Sequence, residues 1–384
     1  MANLGNQSWT LFAACTPGLE QVLAHEIRDL TDAQITCVEG GVELPGDLLD
    51  AAGLCLWARC PSGVLVRLGK FRAKSLQQLY VEAKKLDWAS IVQPGQEVVV
   101  RATVKASRIQ RAENAARKLE LAIHDALRGP RRQNYSRSRT PITIILRIRD
   151  SEVTISADAV GQPLHRRGYR QATAKAPLRE NLAASVLIGA GWIPEEEALA
   201  DPMCGAGTFS IEAALLAQDL PPGRLLRPAV VDWPTFPRKG WPQLQQQIQG
   251  VATALDHPIF SSDREQGAIR AASSNAARAG VAKLLQFRTC SLSDDWEDLP
   301  ETGLVVVNPP YGQRIGEKSK IHGLYSHFGK ALRQRYPGWR IAVVCPDKSL
   351  AGRLAPGIQE LARFKNGGLA VGLYLGTLPE KKQD

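Results

Sequence analysis

Apolar positions along this chain fall into two textures, and the change between them lies near residue 170. In the first, short alternating runs are interleaved with helical spacing. Trp9–Cys15 predicts a strand. After Pro17-Gly18, the set Leu19, Val22, Leu23, Ile27 and Leu30 predicts a helix, because residues three and four apart share a helical face. Ile35–Val38 and Gly41–Leu44 predict a hairpin around Gly40 and Gly41. Strands are predicted over 62–72, 96–104, 142–149 and 152–158, the second of them on its β-branched content. Helices are predicted over 75–91, through Leu76, Leu79, Tyr80, Ala83 and Leu86, and over 112–128, through Ala115, Leu119, Ala122, Ile123 and Leu127. Gly129-Pro130 ends the second helix, and the polar, basic stretch 131–140 predicts a loop.

Beyond residue 170, buried-type strands alternate with helices and glycine turns. Ala198–Ala200, Pro258–Ser262, Leu284–Thr289, Leu304–Val307 and Arg340–Cys345 predict strands. Phe209–Gln218, 264–279 and Ile321–Arg335 predict helices. That order requires a parallel sheet with helices on both faces. Leu361–Lys365, Asn366-Gly367-Gly368 and Leu369–Leu375 predict a closing hairpin, so the last strand should run antiparallel to its neighbours. Residues 219–250 are rich in Pro and Gln and interrupt the rhythm as an insertion with no legible role. The fold class is therefore α/β, preceded by a smaller α+β half.

Composition narrows the function. The 384 residues suffice for two or three domains, and 44% apolar with 22% charged residues is ordinary globular usage. No apolar run is long enough to span a membrane, and Met1–Trp9 lacks the basic start of a signal peptide, so a cytoplasmic protein is expected. Seven scattered cysteines without a CxxC pair, and six dispersed histidines, predict reduced thiols and no metal site. The net charge of +10 is concentrated: residues 1–50 carry one basic and eight acidic side chains, residues 51–150 twenty basic and seven acidic. A basic segment of that kind is either a solvated face or the footprint of a polyanion-binding module.

Three stretches carry chemistry. AspProMetCysGlyAlaGlyThrPhe, 201–209, ends a strand and opens a helix. Gly205 and Gly207 permit a tight turn and close backbone approach, and the helix start offers N–H groups to a ligand. Asp201 can bond a cationic or hydroxyl-bearing group there. A lone GxG turn can be merely structural, and this one lacks the third glycine of a dinucleotide fingerprint. Asp263 ends the next strand, where such sheets hold a ribose by its hydroxyls, or it caps the following helix. AsnProProTyr, 308–311, follows the strand 303–307. Two prolines set a rigid turn, so that Asn308 and the Pro309 carbonyl can offer two acceptors to a planar amino group, with Tyr311 placed to stack on a base.

In this order, with LeuHisArgArgGlyTyrArg (164–170), AlaProLeuArgGluAsnLeuAlaAla (176–184) and AsnProProTyrGlyGlnArg (308–314), these motifs resemble the THUMP-domain RNA guanine-N2 methyltransferases. The nearest group is RlmL-like and includes the N-terminal half of the bacterial RlmKL enzyme. The resemblance implies a class I methyltransferase with a Rossmann-like sheet over 168–384. It also implies a ferredoxin-like domain over 1–65 and a THUMP RNA-binding domain over 66–167. It implies S-adenosylmethionine as cofactor, held by Asp201, Cys204, Gly205, Gly207, Asp263 and Asn308. Cys204 itself reads as a small packed residue, not a nucleophile. Asn308, Pro309, Pro310 and Tyr311 would hold the target amine.

One departure concerns the adenine contact. Relatives carry an Asp after the third strand, whereas Ser291 stands there in this chain, with Asp294 near enough in sequence to reach back. RNA, ribosomal or transfer, is the implied partner. Arg108, Arg111, Arg131, Arg132, His165, Arg166, Arg167 and Arg170 are the expected contacts to it. The readings left open are a 23S ribosomal RNA guanine-N2 methyltransferase, a tRNA enzyme of the same build, an adenine-N6 methyltransferase and a non-catalytic RNA-binding factor. Oligomeric state is not legible.

Overall fold

A computed structural model describes residues 8–380 apart from Pro94, 128–139, 172–177, 251–253, Ser293, Asp295, Glu297 and 312–317. The first half runs β1 (Trp9–Ala14), α1 (Glu20–Leu30), β2 (Thr36–Val38), β3 (Gly41–Gly46), α2 (Leu48–Trp57), β4 (Gly63–Arg72), α3 (Leu76–Lys84), β5 (Val98–Lys105), α4 (Ala112–Ala126), β6 (Ile142–Arg149) and β7 (Glu152–Asp158). Its seven strands form one sheet in the order β2-β3-β1-β4-β7-β6-β5. β4 joins the two parts: Gly63–Arg67 pair with β1, and Leu65–Arg72 pair with β7. The expected junction at residues 65 and 66 thus lies within a single strand, and the two parts share hydrogen bonds across it.

α2 is absent from the sequence reading for a physical reason. Leu48, Leu49, Ala51, Ala52, Leu54, Cys55 and Leu56 are apolar nearly all round, so no 3.6-residue stripe shows. The usable signal was its cap. The Asp47 carboxylate accepts from the Leu49 and Asp50 amides, and Asp50 returns a bond to the Asp47 amide.

The second half runs α5 (Glu180–Gly189), β8 (Ala198–Asp201), α6 (Thr208–Ala217), α7 (Trp241–Gln247), β9 (Ile259–Asp263), α8 (Gln266–Ala279), β10 (Leu285–Thr289), β11 (Gly303–Val307), α9 (Lys318–Arg335), β12 (Arg340–Cys345), α10 (Lys348–Leu354), β13 (Gln359–Asn366) and β14 (Leu369–Thr377). The sheet order is β10-β9-β8-β11-β12-β14-β13. β8 to β12 pair in parallel, and β14 enters antiparallel beside β12, as the closing hairpin predicted. This is the class I Rossmann-like sheet. The strand order reverses between β8 and β11, which opens a crevice at their carboxyl ends.

The insertion acts as a strap between the halves. The Ala229 and Val230 amides donate to the carbonyls of Val160 and Ala159, and the Gly223 amide to Leu56. A Cβ at Gly223 would stand 2.5 Å from the Cys55 carbonyl oxygen, so glycine permits this approach to α2. Among the described residues no helix is long and apolar enough to cross a membrane.

Candidate active site

Asp201, Asp263 and Asn308 leave three neighbouring strands at one sheet edge. Ala200 pairs with Val305, and Asp201 pairs with Ser261, so each of the other two residues lies a short step beyond its partner. Asp201 is buried. Burial first, and the nearby Asp263 with it, push its carboxyl up to about 8 against hydrogen bonds from the Met203 amide and the Ser210 side chain. At pH 7 it is therefore mostly protonated.

The turn after β8 is clamped to β9. The Cys204 amide donates to the Ser262 carbonyl at 3.0 Å, and the Gly205 amide to Asp263 Oδ2 at 3.0 Å. The Glu265 amide takes Asp263 Oδ1 at 2.9 Å. Asp263 thus holds the turn as well as facing the crevice, and its two oxygens retain lone pairs for a further donor. Gly207, at φ +81°, is the N-cap of α6, with no side-chain cap on the helix start. A Cβ there would lie 2.9 Å from Ala272 Cβ on α8, so glycine is required by conformation and by packing. Cys204 contributes backbone only: its thiol is buried and held protonated by burial and the two aspartates.

Sequence reasoning missed the group behind the turn. Asn275 of α8, fully buried, donates from Nδ2 to the Ala206 carbonyl at 3.0 Å. Its Oδ1 accepts from the Gln171 amide at 3.3 Å and from the Arg278 guanidinium. Arg278 Nε in turn donates to the Tyr169 carbonyl at 2.8 Å. Arg170 Nη2 reaches Thr208 Oγ1 at 3.1 Å. The segment 164–171 is therefore a brace for the turn. An Asn in the middle of an otherwise Ala-rich helix face was the only available hint.

In the third motif Asn308 is half-buried, Pro309 buried and Pro310 exposed. The Tyr311 hydroxyl donates to Asn308 Oδ1, so the intended amine acceptor is engaged by its own neighbour. A carbonyl oxygen carries two lone pairs, and one remains for an incoming N–H. The Tyr311 ring is half-buried against the core, and burial pushes its hydroxyl up to about 12. Ser291 is exposed, and its amide donates to Asp294 Oδ2 at 2.6 Å, which sets the Asp294 carboxylate beside Ser291.

Residues 167–367, more than half of the chain, match the family model described as the RMKL-like methyltransferase domain. The chain belongs to the RMKL-like methyltransferase family. Residues 10–65 match the RlmL ferredoxin-like domain. The ribosomal RNA large subunit methyltransferase K/L of Syntrophotalea carbinolica is 34% identical over 97% of this chain and 54% of its own length. A Synechocystis protein with a provisional name as an RNA methyltransferase is 34% identical over 93% of this chain and 94% of its own. The chain thus spans about half the length of its K/L relatives. A solved structure of a provisionally named methyltransferase in complex with SAH shares the fold, with TM-score 0.86 at 23% identity, over 99% of this chain and all of that one.

The basic residues expected to meet RNA in this RMKL-like protein divide sharply. Arg167 is a correction. It is buried, donates to the Leu164 and Arg59 carbonyls, and faces Glu212 at 3.7 Å. Arg170 is a second correction. It is spent on Glu180 at 3.0 Å, the Leu178 carbonyl and Thr208. Arg167 is enclosed in the core and Arg170 is mostly enclosed and engaged on three groups, so neither guanidinium is presented to a phosphate. His165 is half-buried and pushed down to about 4 by burial and four surrounding arginines, so it is neutral at pH 7 and adds no charge. Arg108, Arg111 and Arg166 are exposed. Arg131 and Arg132 lie outside the described residues.

Proposed function

We propose that this RMKL-like methyltransferase moves a methyl group from S-adenosylmethionine to the exocyclic N2 of a guanosine in RNA, with 23S ribosomal RNA as substrate, in the cytoplasm. The observation that carries the reading is the convergence of Asp201, the clamped glycine turn, Asp263 and Asn308 on one sheet edge. Support also comes from the printed names of the K/L and Synechocystis relatives and from the SAH held by a protein of the same fold. In this reading residues 1–65 form the ferredoxin-like domain, 66–167 a THUMP RNA-binding domain and 168–384 the catalytic domain.

The residues present fit the cofactor. Gly205 and Gly207, both at positive φ, make the tight turn that brings backbone to the crevice, and Asp201 is a buried carboxyl with no ion-pair partner among the described residues. Asp201 and the turn would hold the methionine end, and Asp263 the ribose. The cofactor supplies a methyl group already activated on sulfonium. The chain supplies position and electrostatics. Guanine N2 is a poor nucleophile because its lone pair is delocalised into the ring. Acceptance of its hydrogens by Asn308 Oδ1 and the Pro309 carbonyl favours a tetrahedral nitrogen and localises that pair. The base must first be turned out of its helix or hairpin.

The deciding experiment uses labelled S-adenosylmethionine with deproteinised ribosomal RNA or tRNA from a strain lacking the gene. Nucleosides are identified by mass spectrometry. N2-methylguanosine in 23S RNA is expected. The same product confined to tRNA would overturn the substrate and keep the mechanism, and N6-methyladenosine would overturn the atom.

Asp201 makes cofactor binding depend on pH. To pair with a cationic end of the cofactor it must lose the proton it holds below about 8. Affinity should rise as pH rises from 6 toward 8, with proton release visible as a buffer-dependent binding heat. Asp201→Asn should abolish that dependence, and a flat profile in the native protein would sink the assignment. The stability sign is opposite. Between the unfolded value of 3.8 and about 8 the folded state holds a proton the unfolded state lacks. This group's contribution to stability therefore falls as pH rises through that window.

Asn275→Leu removes the tie to the turn while keeping a branched side chain of the same heavy-atom count. It should raise KM for S-adenosylmethionine about tenfold, equivalent to ~1.4 kcal/mol, while RNA affinity holds. Equal loss of both would mean general damage instead of a loosened turn.

A further inference from the structure

The first-half sheet has one face without a helix among the described residues. The helices α1 to α4 pack over Leu11, Val66, Leu146 and Ile155, all on the other face. Alternation puts Val99, Arg101, Thr103 and Lys105 of β5, with Thr143, Ile145, Arg147 and Arg149 of β6, on the uncovered face. Exposure follows that alternation: Arg101, Thr103, Lys105 and Arg147 are exposed, and their neighbours along each strand are not. β5 and β6 run parallel with Thr103 beside Arg147 and Lys105 beside Arg149. Two adjacent strands therefore present four cations and no acid. Arg108 and Arg111, both exposed, follow directly from the end of β5.

Part of this face already holds an anion. Glu39, in the turn between β2 and β3, accepts from Arg149 Nη1 and lies 3.6 Å from Arg147 Nη2. The carboxylate is two-thirds exposed and both arginines are over a third exposed, so the contact is a surface one. Exposed pairs of this kind are weak, screened by salt and readily exchanged. Arg101 and Lys105 have no ion-pair partner among the described residues.

We infer that the outer face of β5 and β6 is the track on which RNA lays its phosphates, and that Glu39 is an internal occupant which a phosphate displaces. This rests on RNA being the substrate, and adds which face receives it. Threonine hydroxyls interleaved with cations are the donors that phosphate and sugar take. A protein partner would need an apolar, desolvated centre, and Val99 and Ile145 are the only apolar side chains on these two strands' outer face.

The test uses the full chain and deproteinised bulk ribosomal RNA in a binding assay across a salt series, with calorimetry of S-adenosylmethionine alongside. Arg101→Gln with Lys105→Gln should weaken RNA binding at least tenfold. The log–log salt slope should become shallower by roughly 1.4–1.8, the loss expected for two phosphate contacts. Glu39→Gln, a surface change that spares folding, should strengthen RNA binding several-fold. Cofactor binding should stay unchanged in both. A double variant with native affinity and slope would overturn the track, and Glu39→Gln without a gain would overturn the displacement. If the native protein methylates RNA while these variants bind RNA as it does, only the track falls. If the native protein binds the cofactor but no RNA, the substrate reading falls first.

Discussion

Asn308→Ala is expected to lower kcat by about 10²–10³, the range seen when one preorganised polar group aimed at a reacting atom is removed. Cofactor affinity should stay within a few-fold. The asymmetry follows from where Asn308 sits. It lies beyond the end of β11, half-buried, with its Oδ1 directed into a contact with Tyr311, whereas the clamped turn of Gly205 and Asp263 belongs to β8 and β9. Alanine leaves that turn untouched. It removes the acceptor that would draw the lone pair of guanine N2 onto nitrogen, an interaction that strengthens as the amine becomes tetrahedral. Loss should therefore appear in the chemical step more than in binding. Single-turnover rates with labelled cofactor and calorimetry of cofactor binding separate the two. Parallel losses would assign Asn308 to the cofactor instead.

Glu212→Ala is expected to cost about 3–5 kcal/mol of stability, the range for breaking a buried pair from one side. A melting temperature lower by roughly ten degrees would accompany it. Glu212 and Arg167 are almost wholly enclosed and stand 3.7 Å apart. Tyr169 donates to the same carboxylate at 2.9 Å. Arg59, also buried, feels the same charge, and Arg167 bonds the Arg59 carbonyl. Alanine would leave the Arg59 and Arg167 guanidinium groups in the core without the carboxylate they share, with Glu26 and Asp219 acting on Arg59 and Glu180 on Arg167. Glu212→Gln keeps an acceptor for Tyr169 and should cost less. Thermal and urea unfolding check both variants, and a loss under 1 kcal/mol for alanine would show that water or rearrangement compensates. Because the network ties residues of the first half to α6, its failure should also loosen the brace at Arg170 and Thr208.

Most strands, and the site motifs, were legible because each is a local statement. Alternation marked the half-exposed strands β6 and β7, β-branched content marked β5, and apolar runs marked β11 and β12. Asp201, Asp263 and Asn308 were recoverable because each stands just past such a run, and parallel strands deliver those positions to one edge by topology alone. α2 escaped because a helix buried on all sides carries no stripe. α10, only seven residues long, escaped because two turns are too few for a period to show. Its Asp347 cap, which accepts from the Leu350 amide, was its only sequence mark.

The arginines show the opposite limit. Composition placed positive charge correctly in residues 51–150, yet the three-letter run His165-Arg166-Arg167 holds a neutral imidazole, an exposed cation and a buried ion-pair partner. Sequence by itself determined the strand order of chemistry: a carboxyl after the first catalytic strand, another after the second, and an amide with two prolines after the fourth. It did so because backbone period and turn chemistry are set by neighbours within a few residues. Only the tertiary structure decided which charges meet solvent, that Asn275 braces the glycine turn from a helix 69 residues away, and that Glu39 reaches Arg149 across 110 residues. Those outcomes depend on desolvation and partners, which are properties of the folded surroundings and are not written in the residues beside them.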